Sequence, residues 1–195
     1  MIPSNLLLAA YASGWFPMAD DEGTISWYSP DPRGIMPLDT FHVPARLQRT
    51  VRRSPFRVDV DMAFAEVMRA CANANRDGED SGTWISAEII DSYCELHALG
   101  HAHSVEVRDG ERLVGGLYGV ALGGAFFGES MFHTATDASK IALIALIERL
   151  RARGFTLLDT QWVTPHLQQF GAIEIPRPHY LQRLEASLPL DVAFV

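Results

Sequence analysis

Asp159 and Gln161 stand two residues apart in the run Leu157-Leu158-Asp159-Thr160-Gln161-Trp162. If that run is a strand, its period of two puts both side chains on one face, about 7 Å apart. A carboxylate among leucines and a tryptophan is costly unless it has partners or a task. Beside apolar walls it can accept a proton, with the Gln161 amide orienting a substrate group; a strand-end Asp satisfied by backbone amides is the plainer alternative. A second carboxylate, Glu129, lies in Phe126-Phe127-Gly128-Glu129-Ser130-Met131-Phe132. Among aromatics it suits a cationic visitor, although a strand-end Glu reaching solvent fits the same pattern. Phe126 and Glu129 have opposite parity, so both can face one cavity only if the strand bulges near Gly128, which a strand glycine permits.

Arg46, Arg49, Arg52 and Arg53 put four of the 16 basic residues into eight positions. On a helix, spacing of three aligns Arg46, Arg49 and Arg52, and Arg53 lies one turn from Arg49. In a chain of net charge −8 this is a local anomaly. A phosphate backbone would satisfy it; a solvated face or internal ion pairs are the ordinary alternatives. Cys94, His97 and His101 fall at i, i+3 and i+7, with His103 just beyond. That spacing could ligate zinc, but no fourth ligand matches it and a helix C-terminus favours histidine anyway, so no metal is expected. Neither cysteine sits in a recognisable nucleophile elbow. Trp15, Trp27, Tyr28 and Trp84 lie in loops and a hairpin. Trp84, in a polar segment, either stacks on a nucleobase, worth about 1–3 kcal/mol per base, or packs as a lid over the core.

Positioning these groups requires a scaffold that the periodicity sketches. Ser4 is expected to cap a short helix ending near Gly14. Residues 24–28 and 34–38 read as strands around Ser29-Pro30-Asp31-Pro32-Arg33, whose prolines fix a rigid loop. Pro44 opens a helix reaching Arg53, and Phe56, Val58 and Val60 alternate as a strand. Residues 62–75 are helical by apolar spacing, and 73–82 form a polar loop, the best candidate for mobility. Ser86 caps a helix that Gly100 stops. Residues 104–108, 113–121 and 125–132, joined at Asp109-Gly110 and Gly123-Gly124, make an antiparallel meander. Asp137 can cap the next helix, which is apolar round most of its circumference and therefore buried. A strand over 157–163, a short helix ending by Gly171 and a last helix over about 178–188 follow.

The whole chain, 195 residues and 48% apolar, can bury a core without metal or disulfide staples. Two cysteines point to a reducing compartment, and cytoplasm is expected. The apolar run Leu6-Leu7-Leu8-Ala9-Ala10 is too short to span a bilayer and has no basic flank, so no membrane or export segment is expected. The acidic total argues against broad non-specific nucleic-acid binding. A strand meander followed by a helix and a returning strand is the layout of acetyltransferase-type acyl-transfer domains.

Seven motifs occur in order: Gly14-Trp15-Phe16-Pro17-Met18, Trp27-Tyr28-Ser29-Pro30-Asp31-Pro32-Arg33, Gly82-Thr83-Trp84-Ile85, Leu99-Gly100-His101-Ala102-His103-Ser104, Gly115-Gly116-Leu117-Tyr118-Gly119-Val120, Gly128-Glu129-Ser130-Met131-Phe132 and Leu158-Asp159-Thr160-Gln161. Together, over about residues 5–185, the chain resembles the leucyl/phenylalanyl-tRNA-protein transferase family. The resemblance implies an enzyme that moves Leu, Phe or Met from aminoacyl-tRNA to the N-terminal Arg or Lys of a protein, creating a degradation signal. It needs no cofactor. The implied α+β fold is an acetyltransferase-like (GNAT-type) domain with a mostly antiparallel sheet, over 59–195, beside a small, truncated N-terminal α/β subdomain over 1–58 that carries the basic helix. A monomer is expected.

By position, the resemblance makes Asp159 and Gln161 the catalytic pair. Glu129, Phe126, Leu117, Leu143, Leu146, Leu150 and Leu158 match the aminoacyl pocket, and Trp84 and Met18 the adenosine contacts. Met18 replaces an aromatic by a softer thioether contact. Arg49, Arg52 and Arg53, with Arg46 as an approximate counterpart, match the basic cluster that holds the tRNA. One rival is an acyl-CoA-dependent N-acetyltransferase, which would want a glycine-rich turn for a pyrophosphate; His133-Thr134-Ala135-Thr136-Asp137 lacks it and brings a carboxylate. The other is a non-catalytic tRNA- or peptide-binding module, which would leave Glu129 and Asp159 unexplained.

Overall fold

The structure, a computed structural model, describes residues 1–74 and 83–195. Its elements in chain order are α1 (Ser4–Ala12), β1 (Phe16–Ala19), β2 (Ile25–Tyr28), β3 (Arg33–Ile35), α2 (Ala45–Arg53), β4 (Arg57–Val60), α3 (Phe64–Ala72), α4 (Ala87–Ala98), β5 (Ala102–Asp109), β6 (Arg112–Leu122), β7 (Ala125–His133), α5 (Ala138–Arg153), β8 (Leu157–Gln161), α6 (Pro165–Gln168), β9 (Ile173–Ile175) and α7 (Arg177–Ser187). Seven strands form one sheet in the order β4-β5-β6-β7-β8-β3-β9. Every pairing is antiparallel except β7 with β8, which the buried helix α5 connects. This is an α+β architecture with the meander, crossover helix and returning strand that the periodicity implied.

Strand alternation sorts the core into two layers. Phe127 and Leu157 join α1, α3, α4 and α7 on one side of the sheet, while Phe126 and Leu158 join α2 and α5 on the other. Helix α5 is buried along most of its length because the sheet covers one side of it and the chain after Leu188 wraps another: Phe194 is 2% exposed and stacks on Phe126 at 5.1 Å. Gly115 lets α5 approach β6, since a Cβ there would lie 2.5 Å from that of Ala138.

Several expectations change. Ser4 is the first helical residue of α1 and not its cap; its hydroxyl donates to Glu95 at 2.7 Å. Asp137 precedes α5 in a left-handed conformation and turns its carboxylate to Lys140 at 2.7 Å instead of capping the helix amides. Ser86 does cap α4, accepting from the Ile89 amide. β1 was not anticipated because it contains Pro17, which a two-stranded ribbon with β2 tolerates. β9 is likewise new. A boundary after residue 58 would cut β4 and would part β3 from β8 and β9, which hydrogen-bond to it on either side. The loop expected over 73–82 falls, from residue 75 onward, outside the described residues.

Candidate active site

Parallel pairing of β7 with β8 ends at Phe127 and Asp159. Beyond that point the strands part, and residues of both line a cavity of about 1110 Å³. Glu129 reaches it through a bulge. In the β6–β7 ladder Gly119 faces Gly128 and Tyr118 faces Ser130, so Glu129 is the extra residue. Its Oε1 accepts from the Tyr11 hydroxyl at 2.7 Å and from Gln161 Nε2 at 3.2 Å, and the Tyr11 hydroxyl in turn contacts that of Tyr93. Burial pushes the Glu129 carboxyl up to about 8; the Asp159 charge adds to the rise, while the Tyr11 hydrogen bond and Arg33 oppose it. At neutral pH this favours the protonated form of the acid.

Asp159 is sealed away from the cavity. It is fully buried, and its carboxylate accepts four hydrogen bonds: Arg33 Nε at 2.9 Å, Arg33 Nη2 at 2.6 Å, the Tyr180 hydroxyl at 2.6 Å and the Gln161 amide at 2.9 Å. Arg33 is equally buried; it also donates to the Gly14 carbonyl at 2.9 Å and lies over the Phe16 and Tyr180 rings. The expected period-two relation between Asp159 and Gln161 fails for a local reason. Gln161 has φ +57, and its own N–H folds back onto Asp159. A left-handed non-glycine residue costs on the order of 1–2 kcal/mol, and this one aims its side chain at Glu129 instead of continuing the strand. Gly34 of β3 permits the crossing, since a Cβ there would sit 2.6 Å from the Trp162 carbonyl carbon.

Leu117, Leu143, Leu146 and Leu158 line one wall of the cavity, and Met18 and Trp84 another. A hydrogen bond from the Ala19 amide to the Trp84 carbonyl, 3.1 Å, brings those two together. Phe126 and Leu150 do not reach the cavity. They are fully buried in the core behind the leucine wall, Phe126 because the bulge that turns Glu129 inward begins after it. Arg46, Arg49, Arg52 and Arg53 lie on α2 with exposed side chains, and among the described residues none forms an ion pair; Leu47 and Val51 anchor the opposite side of the helix in the core. His97 bonds the Ala102 carbonyl and stacks on Phe64, while His103 pairs with Asp61. Among the described residues no three His, Cys, Asp or Glu side chains are grouped to hold a metal. Tyr11, Tyr93, Arg33 and Tyr180 were not singled out from sequence. The cost of a buried Asp159 called for a cation, but only the fold identifies Arg33, 126 residues away, as that cation.

A sequence profile described as leucyl/phenylalanyl-tRNA protein transferase matches residues 35–185, and one for the N-terminal domain of the same proteins matches residues 3–31. The chain belongs to this family. A leucyl/phenylalanyl-tRNA–protein transferase of Cereibacter sphaeroides is 58% identical over 192 residues, covering 97% of this chain and 87% of the relative. Those of Herpetosiphon aurantiacus and Akkermansia muciniphila are 57% and 55% identical, covering 97% and 94% of this chain and 96% and 95% of theirs. Among solved structures, L-PGS from Bacillus licheniformis aligns with a TM-score of 0.49 at 13% identity, over 89% of this chain and 66% of its own. A ribosomal-protein-alanine N-acetyltransferase from Brucella melitensis aligns with a TM-score of 0.38 at 14% identity, over 58% of this chain and 86% of its own. As a leucyl/phenylalanyl-tRNA–protein transferase family member, the chain is an enzyme that transfers a group, and no described helix is long and apolar enough to cross a membrane.

Proposed function

We propose that the protein transfers Leu, Phe or Met from aminoacyl-tRNA to the N-terminal Arg or Lys of an acceptor protein, working as a cytoplasmic monomer. Family membership supports the aminoacyl-tRNA donor and the protein acceptor. The observation that carries the chemistry is Glu129, a half-buried acid bonded to Gln161 and set against an apolar wall. An aminoacyl ester presents an ammonium and an unbranched apolar side chain from the same carbon, which is what the acid and the four leucines can hold together. The ester is already activated, so aminolysis needs position and proton transfer but no nucleotide hydrolysis.

In this reading Glu129 ionises against the aminoacyl ammonium. Gln161 spends Nε2 on Glu129 and offers its carbonyl oxygen to the N–H of the attacking amine. As the new C–N bond forms, the amine gives up a proton and the ribose oxygen leaves with one. Asp159, with both oxygens engaged and no face on the cavity, orients Gln161 and takes no proton itself. Trp84 and Met18 would contact the terminal adenosine, and the α2 arginines the tRNA phosphates. Purified protein, leucyl-tRNA carrying labelled Leu and a peptide beginning with Arg should yield labelled peptide, with no acetylation in an acetyl-CoA control. Acetyl transfer without leucyl transfer would replace the proposal by the acyl-CoA reading.

A further inference from the structure

A second, smaller cavity of about 500 Å³ opens where β7 passes into α5, and nothing in the aminoacyl-transfer scheme uses it. Its lining is almost wholly polar: the hydroxyls of Thr134, Thr136 and Ser139, the imidazoles of His133 and His166, and the Lys140 ammonium. The one carboxylate, Asp137, is held by Lys140 at 2.7 Å and leaves two of the ammonium's donors uncommitted. His166 stacks edge-on against Phe170, and its buried Nε2 has no hydrogen-bond partner among the described residues. His133 Nδ1 meets Ser139 Oγ at 3.3 Å, and the first turn of α5 has no side-chain cap. His133, Thr134, Ser139 and His166 line both cavities, so a ligand in the large one can extend into the small one.

We infer that the small cavity seats the phosphate joined to the terminal nucleoside of the aminoacyl-tRNA, held by Lys140 and His166. The inference rests on the proposed donor: beyond the ribose that bears the ester, the next group on the chain is a phosphodiester. Donor-rich lining with its only acid neutralised matches that group and matches no apolar or cationic one. Calorimetry with adenosine, adenosine 5′-monophosphate and inorganic phosphate tests it without any transfer step. The monophosphate should bind about tenfold more tightly than adenosine, as expected for a charge-assisted contact. Lys140→Met and His166→Phe should each erase most of that gap, and Asp137→Asn should keep or widen it. Equal affinity for adenosine and its monophosphate overturns the inference, whether or not inorganic phosphate binds, and so does a gap that survives in both variants. If the gap behaves as stated while leucyl transfer is absent, the proposed function fails and the phosphate seat stands.

Discussion

A carboxylic acid kept neutral at the back of an apolar cavity can bind an arriving ammonium without paying for a buried charge while it waits, and Glu129 has that character. Its raised folded-state value also has a consequence for stability. Between the ordinary carboxylate value near 4.5 and about 8, the native protein holds a proton that the unfolded chain releases. The stabilisation is complete below the lower value and is lost as pH rises to the upper, with a limiting slope of about 1.4 kcal/mol per pH unit. Urea midpoints of the native protein should therefore fall relative to Glu129→Gln from pH 5 to pH 8 and run parallel above it. At neutral pH the variant should fold, bind tRNA and transfer Leu at least about tenfold more slowly, having lost the ammonium's counter-charge. Arg33 and Asp159 form a different kind of pair, sealed in the core and bonded at two points. Arg33→Met strands a buried carboxylate and should cost about 3–5 kcal/mol in chemical denaturation, with loss of turnover following from the loss of Gln161's anchor.

Among the elements, α5 borders both cavities, since Leu143 and Leu146 join the leucine wall of the large one and the helix start borders the smaller polar one. A wall of four leucines, two of them on this helix, discriminates by shape. Ile, branched at Cβ, should be transferred about 10- to 200-fold less efficiently than Leu when kcat/KM is compared with the two charged tRNAs, which is the range shape alone can give. Equal efficiency would remove Leu143 and Leu146 from the aminoacyl site. The seating of α5 depends on Gly115. Gly115→Ala places a methyl against Ala138 where only 2.5 Å is available, and should lower stability by about 1–3 kcal/mol, read as a lower Tm.

For the molecule as a whole, a net charge of −8 opposes a polyanion and favours an acceptor with a cationic N-terminal residue. The four exposed α2 arginines are an exception to that field. Binding of tRNA should weaken only shallowly with salt, each phosphate contact contributing about −0.7 to −0.9 to the log-log slope. Replacing Arg49, Arg52 and Arg53 by Ala should flatten the slope by about two to three; an original slope near −10 would mean a far longer contact track.

Much of this architecture was readable before any coordinates, because periodicity is a local property. The three-strand meander, the buried helix after it and the returning strand follow from alternation and apolar spacing; β7 does bulge beside Gly128, but Phe126, expected to share the cavity with Glu129 through that bulge, stays in the core. The positions of Asp159, Gln161 and Glu129 marked a candidate site. Their division of labour was not readable. Whether Asp159 faces substrate or is locked against Arg33 depends on β3 entering the sheet between β8 and β9, and Gln161 reaches Glu129 only through a left-handed backbone that no strand pattern encodes. A buried charge announces that it needs a partner, but the partner is chosen by contacts between distant segments, which exist only once the chain has packed.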